Sequence, residues 1–352
     1  MTSRFLSLAE LGWTPYFASQ FTPSASPDER AVRVMAVHRG HVTIAGEDID
    51  TTIPSHLPGA TGEEDRPTVG DWLIIDRTSL RPTRLLNRAS LFKRRAAGTG
   101  RDLQLIAANV DTLFVVTSCN RDFNLARLER YLVLAREAGV MPVVVLTKAD
   151  LADDVADYAK AARRLLSGLV VETLDARDPD AAAALAAWCG KGQTVALLGS
   201  SGVGKSTLVN SLSGVGALTG AVRKGDTKGR HTTTGRSLHR LEQGGWLLDT
   251  PGMRELQLAD VQEGLDEVFS DIAALANECR FSDCAHDSEP GCAIKEALAN
   301  GHLEPERLAR WLKLAAEDAH NRASLAERRS RERAFSKMAR SVIRGKNTRT
   351  QR

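Results

Sequence analysis

The amino-acid sequence predicts a multidomain chain: a small N-terminal β-barrel, a central α/β domain with a parallel, doubly wound sheet, and a C-terminal helical module. Three observations predict it. Short strand-like runs fill residues 31–103, strand-like and helix-like runs alternate over 104–270, and a dense Cys/His group followed by a helical, basic stretch occupies 271–352. At ~100–200 residues per domain, 352 residues suit two or three domains with cores of their own.

Residues 1–30 lead into the barrel. Its strands are read from Val32, Val34 and Ala36, from Val42-Thr43-Ile44 and from Trp72-Leu73-Ile74-Ile75, separated by turns rich in Gly, Pro and acids such as Gly59 through Pro67. Short strands at this spacing indicate a small barrel of the oligonucleotide-binding (OB) type, and an SH3-like barrel leaves a similar trace. Leu91-Phe92-Lys93-Arg94-Arg95 adds a basic, aromatic-containing edge before Ala96 to Gly100. Such a cluster suits phosphate contact or an ordinary solvated strand equally.

In the central domain Val110 to Cys119 is apolar, and Leu125, Leu128, Leu132 and Ala135 then recur at helical spacing. Further strands precede Thr147, follow Gly168 and precede Gly199. Alternation of this kind argues for a parallel sheet with ligands at the C-terminal strand ends. At one such end lies Gly199-Ser200-Ser201-Gly202-Val203-Gly204-Lys205-Ser206, followed by Thr207, a match to G-x-x-x-x-G-K-[ST] between the apolar run 194–198 and a helix start. Glycines let backbone N–H groups converge on phosphate oxygens, and the helix N-terminus adds partial positive charge. Lys205 would neutralise the β- and γ-phosphates, and the Ser206 hydroxyl would ligate Mg²⁺.

Asp150 of Thr147-Lys148-Ala149-Asp150 follows the buried-strand pattern Val143 to Leu146. Its carboxylate could accept hydrogen bonds from guanine N1–H and the exocyclic amine, a pair adenine lacks, and Lys148 would lie along the base. Thr147 stands where Asn is usual, which predicts weaker base affinity. After the run 169–174, Asp175-Ala176 stands where a Ser-Ala pair is expected, so Ala176 is either a backbone contact to the base or plain loop.

Asp249-Thr250-Pro251-Gly252 closes the set, with Asp249 holding Mg²⁺ through water and the Gly252 amide meeting the γ-phosphate. Many GTPases follow with a Gln that orients the attacking water; here it is Met253, so intrinsic hydrolysis should be slow. In the intervening switch segment, Lys228 to Gly235, His231 is the candidate for orienting or deprotonating water, with a surface or core histidine as the alternative. One of Thr232, Thr233 and Thr234 would ligate Mg²⁺, and Thr233 is preferred. The base reader precedes the phosphate loop, the reverse of the common order. The central domain therefore reads as a circularly permuted P-loop GTPase.

Cys279-x₄-Cys284-x-His286-x₅-Cys292 offers three thiols and an imidazole, a closed tetrahedral set suited to one structural Zn²⁺, with Pro290 and Gly291 turning the chain back. A disulfide pair or free thiols are the alternatives, and a reducing compartment disfavours disulfides. Cys119 and Cys189 read as core and as the end of an Ala-rich helix.

Residues 328–352 hold ten Lys or Arg and one acid, a net of +9, while the remaining 327 residues carry 37 basic and 43 acidic side chains, a net of −6. A basic tail on an acidic body fits an RNA partner or a disordered, solubilising end. Before it, residues 304–322 read as a helix with a stripe of Leu308, Trp311, Leu312 and Leu314. Phe335, Met338 and Ile343 interrupt the tail's charges. No basic leader with a long apolar stretch and no ~18-residue apolar run is present, so a cytoplasmic protein is expected. Without long apolar heptads, a monomer is expected.

With these motifs in place, the chain resembles the bacterial ribosome small-subunit-dependent GTPase A family over nearly its full length. The residues carrying the resemblance are Gln104 to Asp111, the Thr147–Asp150 tetrapeptide, the Gly199–Thr207 loop, Gly229 to Thr234, Asp249–Gly252 and the Cys279–Cys292 ligand set. The resemblance implies a barrel that binds ribosomal RNA, a zinc module and C-terminal helix that complete the grip, and GTP hydrolysis stimulated by the small subunit. It also implies a late checkpoint role in assembly of that subunit, an apolar residue in place of the Gln as a family trait, and His231 as the catalytic histidine. Two other classes would produce different behaviour. An RNA-binding assembly scaffold using GTP as a structural ligand would show no multiple turnover, and a metabolic nucleotide hydrolase would need no ribosome.

Overall fold

The computed structural model describes residues 5–21, 27–95, 103–178, 181–213, 236–249, 258 and 260–321. The chain forms two compact units, Met1–Gln257 and Leu258–Arg352.

In the first unit, β1 (Glu29–His38) is the longest of the described strands, and its alternation sends Val32 and Val34 into one core while Arg33 faces the other way. It pairs antiparallel with β2 (His41–Gly46) and with β4 (Trp72–Asp76); β2 continues to β3 (Ile49–Pro54) and β4 to β5 (Pro82–Leu85). Val32, Val34, Val42, Ile44, Ile53, Leu73 and Ile75 fill the space these five strands enclose. The basic strand β6 (Leu91–Arg95) pairs with β7 (Leu103–Ala108), buries Phe92, and sets Lys93 against Glu64 at 2.8 Å and Arg94 against Gln104 at 2.8 Å.

The central part alternates as its pattern requires. Strands β8 (Thr112–Ser118), β9 (Met141–Thr147), β10 (Val170–Thr173), β11 (Thr194–Leu198) and β13 (Trp246–Asp249) run parallel in the order β10-β9-β8-β11-β13, with β12 (Arg236–Arg240) antiparallel beside β13. Strands β8 and β9 are buried almost throughout, as continuous apolar runs should be in a sheet covered on both faces. A short α1 (Pro15–Ala18) lies near the N-terminus. Helix α2 (Leu125–Glu137) opens on Asn124, whose side chain accepts from the Arg127 amide, and it buries Leu128 and Leu132. Helix α3 (Val155–Arg163) lies between β9 and β10, the short α4 (Ala181–Ala184) precedes β11, and α5 (Lys205–Ser213) follows it.

Two features of this unit have no local signature. Strand β1 also pairs with β12, through Ala36↔Ser237 and Val37↔Arg236, so the barrel strands and the parallel strands belong to one sheet of 11 strands. The leading segment is part of the core: Leu11, Phe17 and Phe21 are buried, and Trp13 meets Trp72 edge-on at 4.7 Å. Arg33 explains why. Its guanidinium donates to the carbonyl oxygens of Leu11 (2.5 Å) and Asn109 (3.2 Å) and to Thr194 Oγ1 (2.7 Å), joining the leader, the turn before β8 and the start of β11. Burial pulls the pKa of this arginine down to about 10, opposed by Asp111 and Asp71.

The second unit is helical: α6 (Gln262–Val268), α7 (Ser270–Asn277), α8 (Ala293–Ala299) and a helix α9 over residues 305–321. Phe269, Ile272, Ile294 and Leu314 are buried there, and Arg307 clasps Asp271 at 2.6 Å while lying over the Phe269 ring. Among the described residues no helix is long and apolar enough to cross a membrane.

Candidate functional site

Because β8 to β11 and β13 are parallel, Thr147, Asp150, Gly199 and Asp249 all arrive at the same, C-terminal edge of the sheet. The phosphate loop leaves β11 at Leu198 and runs directly into α5. Its first glycine is required by packing: a Cβ on Gly199 would stand 2.2 Å from the Val116 carbonyl oxygen. Gly204 needs its freedom for another reason, a φ of +92°. Val203 between them is buried and anchors the loop in the core formed by Phe114, Val143, Leu208 and Leu247. The Lys205 ammonium is folded into the loop, donating to the carbonyl oxygens of Gly199 (2.8 Å) and Ser200. From the first turn of α2, Arg127 Nη1 donates to Ser200 Oγ at 2.7 Å, a contact that sequence reasoning did not identify.

Thr147 is fully buried and donates from Oγ1 to the Val203 carbonyl oxygen at 2.6 Å, with the Thr117 carbonyl oxygen at 3.2 Å. The shorter side chain standing in for Asn thus ties the end of β9 to the phosphate loop. Lys148 takes a left-handed backbone (φ +56°), and one turn of 3-10 helix, Ala149–Leu151, presents Asp150 at the sheet edge. The loop after β10 comes to meet it. Ser211 Oγ of α5 donates to the Ala176 carbonyl oxygen at 2.9 Å, which holds this loop to the helix that follows the 199–204 segment. Arg177, two residues past Asp175, donates from Nη2 to Asp150 Oδ2 at 2.6 Å. Sequence reasoning did not identify this contact, because Arg177 and Asp150 are 27 positions apart along the chain.

Asp249 ends β13 with an exposed carboxylate, opposite Ser237 of β12. His239 Nε2 lies 3.9 Å from Asp249 Oδ2 and 3.0 Å from Ser237 Oγ, which places a second histidine beside the Mg²⁺-holding carboxylate expected from sequence. Its signal was only its position on the strand before Asp249. His231, Thr232, Thr233, Thr234, Gly252 and Met253 lie outside the described residues, as do Ala96 to Gly100 and the chain from 322 onward, which includes the basic tail.

In the helical unit, Cys279, Cys284, His286 and Cys292 bring one ligand atom each to within 4.8 Å of one another. Cys279 Sγ is 3.6 Å from His286 Nδ1 and 3.9 Å from Cys292 Sγ, and Cys292 Sγ is 3.6 Å from His286 Nδ1. Tetrahedral Zn²⁺ with Zn–S of ~2.3 Å and Zn–N of ~2.1 Å spaces its ligand atoms about 3.5–3.8 Å apart, so the donor set fits the ion. Burial raises the Cys279 thiol, but hydrogen bonds from the amides of Ala293 and Ile294 at the start of α8 and with the Cys292 and Cys284 side chains together outweigh it, and the thiol ends below its ordinary value. Glu289 shapes the loop: its carboxylate accepts from the amides of Ala285, Asp287 and Ser288, contacts that hold its pKa down at about 2. The left-handed His286 (φ +62°) turns its ring back toward the thiols, with its centroid 6.0 Å from that of Trp311 on α9.

The comparisons with known proteins agree with this arrangement. Residues 85–259 match the family model described as RsgA GTPase. A small ribosomal subunit biogenesis GTPase RsgA of Mesorhizobium japonicum is 52% identical over 91% of this chain and 92% of its own length. A protein named small ribosomal subunit biogenesis GTPase RsgA 2, from Vibrio parahaemolyticus, is 49% identical over 98% of this chain and 95% of its own. Among solved structures, YjeQ from Thermotoga maritima aligns with a TM-score of 0.58 at 26% identity, covering 81% of this chain and 97% of that one. YloQ, described as a circularly permuted GTPase, aligns with the same TM-score at 25% identity, over 83% of this chain and 95% of its own. The permuted order seen in the motifs is thus the order of the fold, and the chain belongs to the RsgA GTPase family.

Proposed function

We propose that this protein hydrolyses GTP to GDP and phosphate on the small ribosomal subunit, as a late checkpoint in that subunit's assembly. The observation that carries the reading is the convergence of Thr147, Asp150, the 199–206 loop and Asp249 at one sheet edge. The names of the relatives supply the ribosomal setting.

In this reading the loop amides and the N-terminus of α5 receive the phosphates, and Lys205 exchanges its two carbonyl partners for β- and γ-phosphate oxygens. The Ser206 hydroxyl, Asp249 and Thr233 would hold Mg²⁺, and the ion when bound would supply charge neutralisation for the phosphates. Asp150 reads guanine, and His231 orients the attacking water in place of the Gln that Met253 replaces. Cys279, Cys284, His286 and Cys292 hold one structural Zn²⁺, and the barrel, zinc module and basic tail contact ribosomal RNA.

The decisive experiment is steady-state hydrolysis with and without purified small subunits, with ATP as the nucleotide control. Alone, the protein should turn over at about 10⁻⁴ to 10⁻² per second. Small subunits should raise the GTP rate at least about tenfold and leave ATP untouched; an unchanged rate would favour the scaffold reading. A second test addresses the base. Asp150→Asn should weaken GDP and tighten xanthosine diphosphate, each by about tenfold or more, because the amide presents a donor where guanine needs an acceptor. Titration of both nucleotides against both proteins measures this, and an unaltered preference would remove Asp150 from the base site.

A further inference from the structure

Asp175 stands where a base-contact loop would be expected to carry serine, and the substitution changes the electrostatics of the site. A serine hydroxyl can donate to a neighbouring carboxylate, whereas an ionised aspartate can only accept. Asp175 would therefore add a second negative charge next to Asp150 and leave the base-reading carboxylate without a donor to orient it. The structure resolves this with Arg177. Its guanidinium donates from Nε to Asp175 Oδ1 and from Nη2 to Asp175 Oδ2, both at 3.1 Å, and Nη2 also reaches Asp150 Oδ2 at 2.6 Å. The Arg177 amide donates to Asp175 Oδ1 at 2.9 Å, so the arginine is held from both its main chain and its side chain. The loop itself is fixed through Ser211 and the buried Ala176.

We propose that Arg177 is a specificity-determining positioning residue: clamped by Asp175, it bridges to Asp150 and sets that carboxylate for guanine. This deepens the guanine-site assignment and rests on it. A carboxylate has about four lone-pair positions, so Asp150 can keep the Arg177 bond on Oδ2 and still accept from both guanine donors. The bridge also accounts for the pairing of an unusual Asp at 175 with an Arg two residues later: either alone would leave an uncompensated charge at the base site.

The test is GDP and inosine diphosphate affinity of the full chain, since inosine lacks the exocyclic amine that Asp150 would read. Arg177 is exposed, so its removal should leave the melting temperature in place. Arg177→Ala should weaken GDP by about fivefold and shrink the GDP-over-IDP preference, with kcat at saturating GTP unchanged. Adding Asp175→Ser to that variant should restore both affinity and preference, because the serine removes the second charge and supplies a donor. Affinity for GDP that is equal to or tighter than the parent's would make Arg177 a competitor for the site and overturn the proposal. So would a loss that Asp175→Ser does not repair. Asp150→Asn separates the two levels: if it loses guanine preference while Arg177→Ala keeps it, only the bridge is wrong, and if Asp150→Asn keeps the preference, the base-site assignment falls and takes the bridge with it.

Discussion

Replacing Lys205 by alanine is expected to abolish GTP turnover, with or without small subunits, and to lower nucleotide affinity by at least about a hundredfold. The loop folds its own chain around this ammonium, with the Gly199 and Ser200 carbonyl oxygens as partners. In an enclosed loop a charge-assisted hydrogen bond to phosphate is about twice as strong as a neutral one, and two such bonds lost together reach that scale. Ser206→Ala should remove turnover with a smaller loss of binding, since the hydroxyl is assigned to Mg²⁺ rather than to phosphate. Binding measured by titration and turnover by phosphate release separate the two roles. Hydrolysis at the parent rate in Lys205→Ala would refute the phosphate assignment. Because Lys205 and Ser206 begin α5 at the protein surface and neither fills the core, the variants should melt close to the parent.

Loss of one zinc ligand is expected to have the second large effect, confined to the helical unit. The wild-type chain should contain one zinc per molecule, and Cys292→Ala should contain almost none. A structural Zn²⁺ contributes an apparent ~10–16 kcal/mol in isolated zinc-finger peptides at neutral pH, far more than the short helices α7 and α8 can replace by packing. The loop between them, residues 278–292, should then become open to protease, as should α8, whose first turn follows Cys292. Nucleotide binding should persist, since no phosphate or base contact is assigned to this unit. Metal analysis together with limited proteolysis tests this. A parent protein that purifies without zinc yet resists protease over 278–292 would show that the four side chains are held by packing alone.

Much of this site was legible in the sequence because its parts are contiguous. The 199–206 loop, the 147–150 tetrapeptide and the 279–292 ligand set each bring their chemistry together within a short stretch of chain, and the first two each follow an apolar run that marks a strand. The parallel sheet followed from the same runs. The contacts that tune the site were not legible, because each joins residues distant in sequence. Arg127 meets Ser200 across 73 positions, and Arg177 meets Asp150 across 27. Thr147 illustrates the difference. Its replacement of Asn suggested a weaker base site, yet the hydroxyl reaches the Val203 carbonyl oxygen, a partner visible only once β9 and the loop are side by side.

Local pattern and residue chemistry at fixed spacing were enough for the parallel sheet, the permuted order of the nucleotide motifs and the grouping of Cys279, Cys284, His286 and Cys292. Packing in three dimensions was needed to join β1 to β12 and so draw the barrel strands into the parallel sheet. The same packing buries the leading segment beneath Arg33, whose charge would otherwise place β1's second face in solvent. It also brings an arginine from another loop onto the Asp150 carboxylate. One cause is common to all three. Hydrogen bonds and ion pairs act over about 3 Å in space, and which groups come that close is set by how the strands stack, not by their order along the chain.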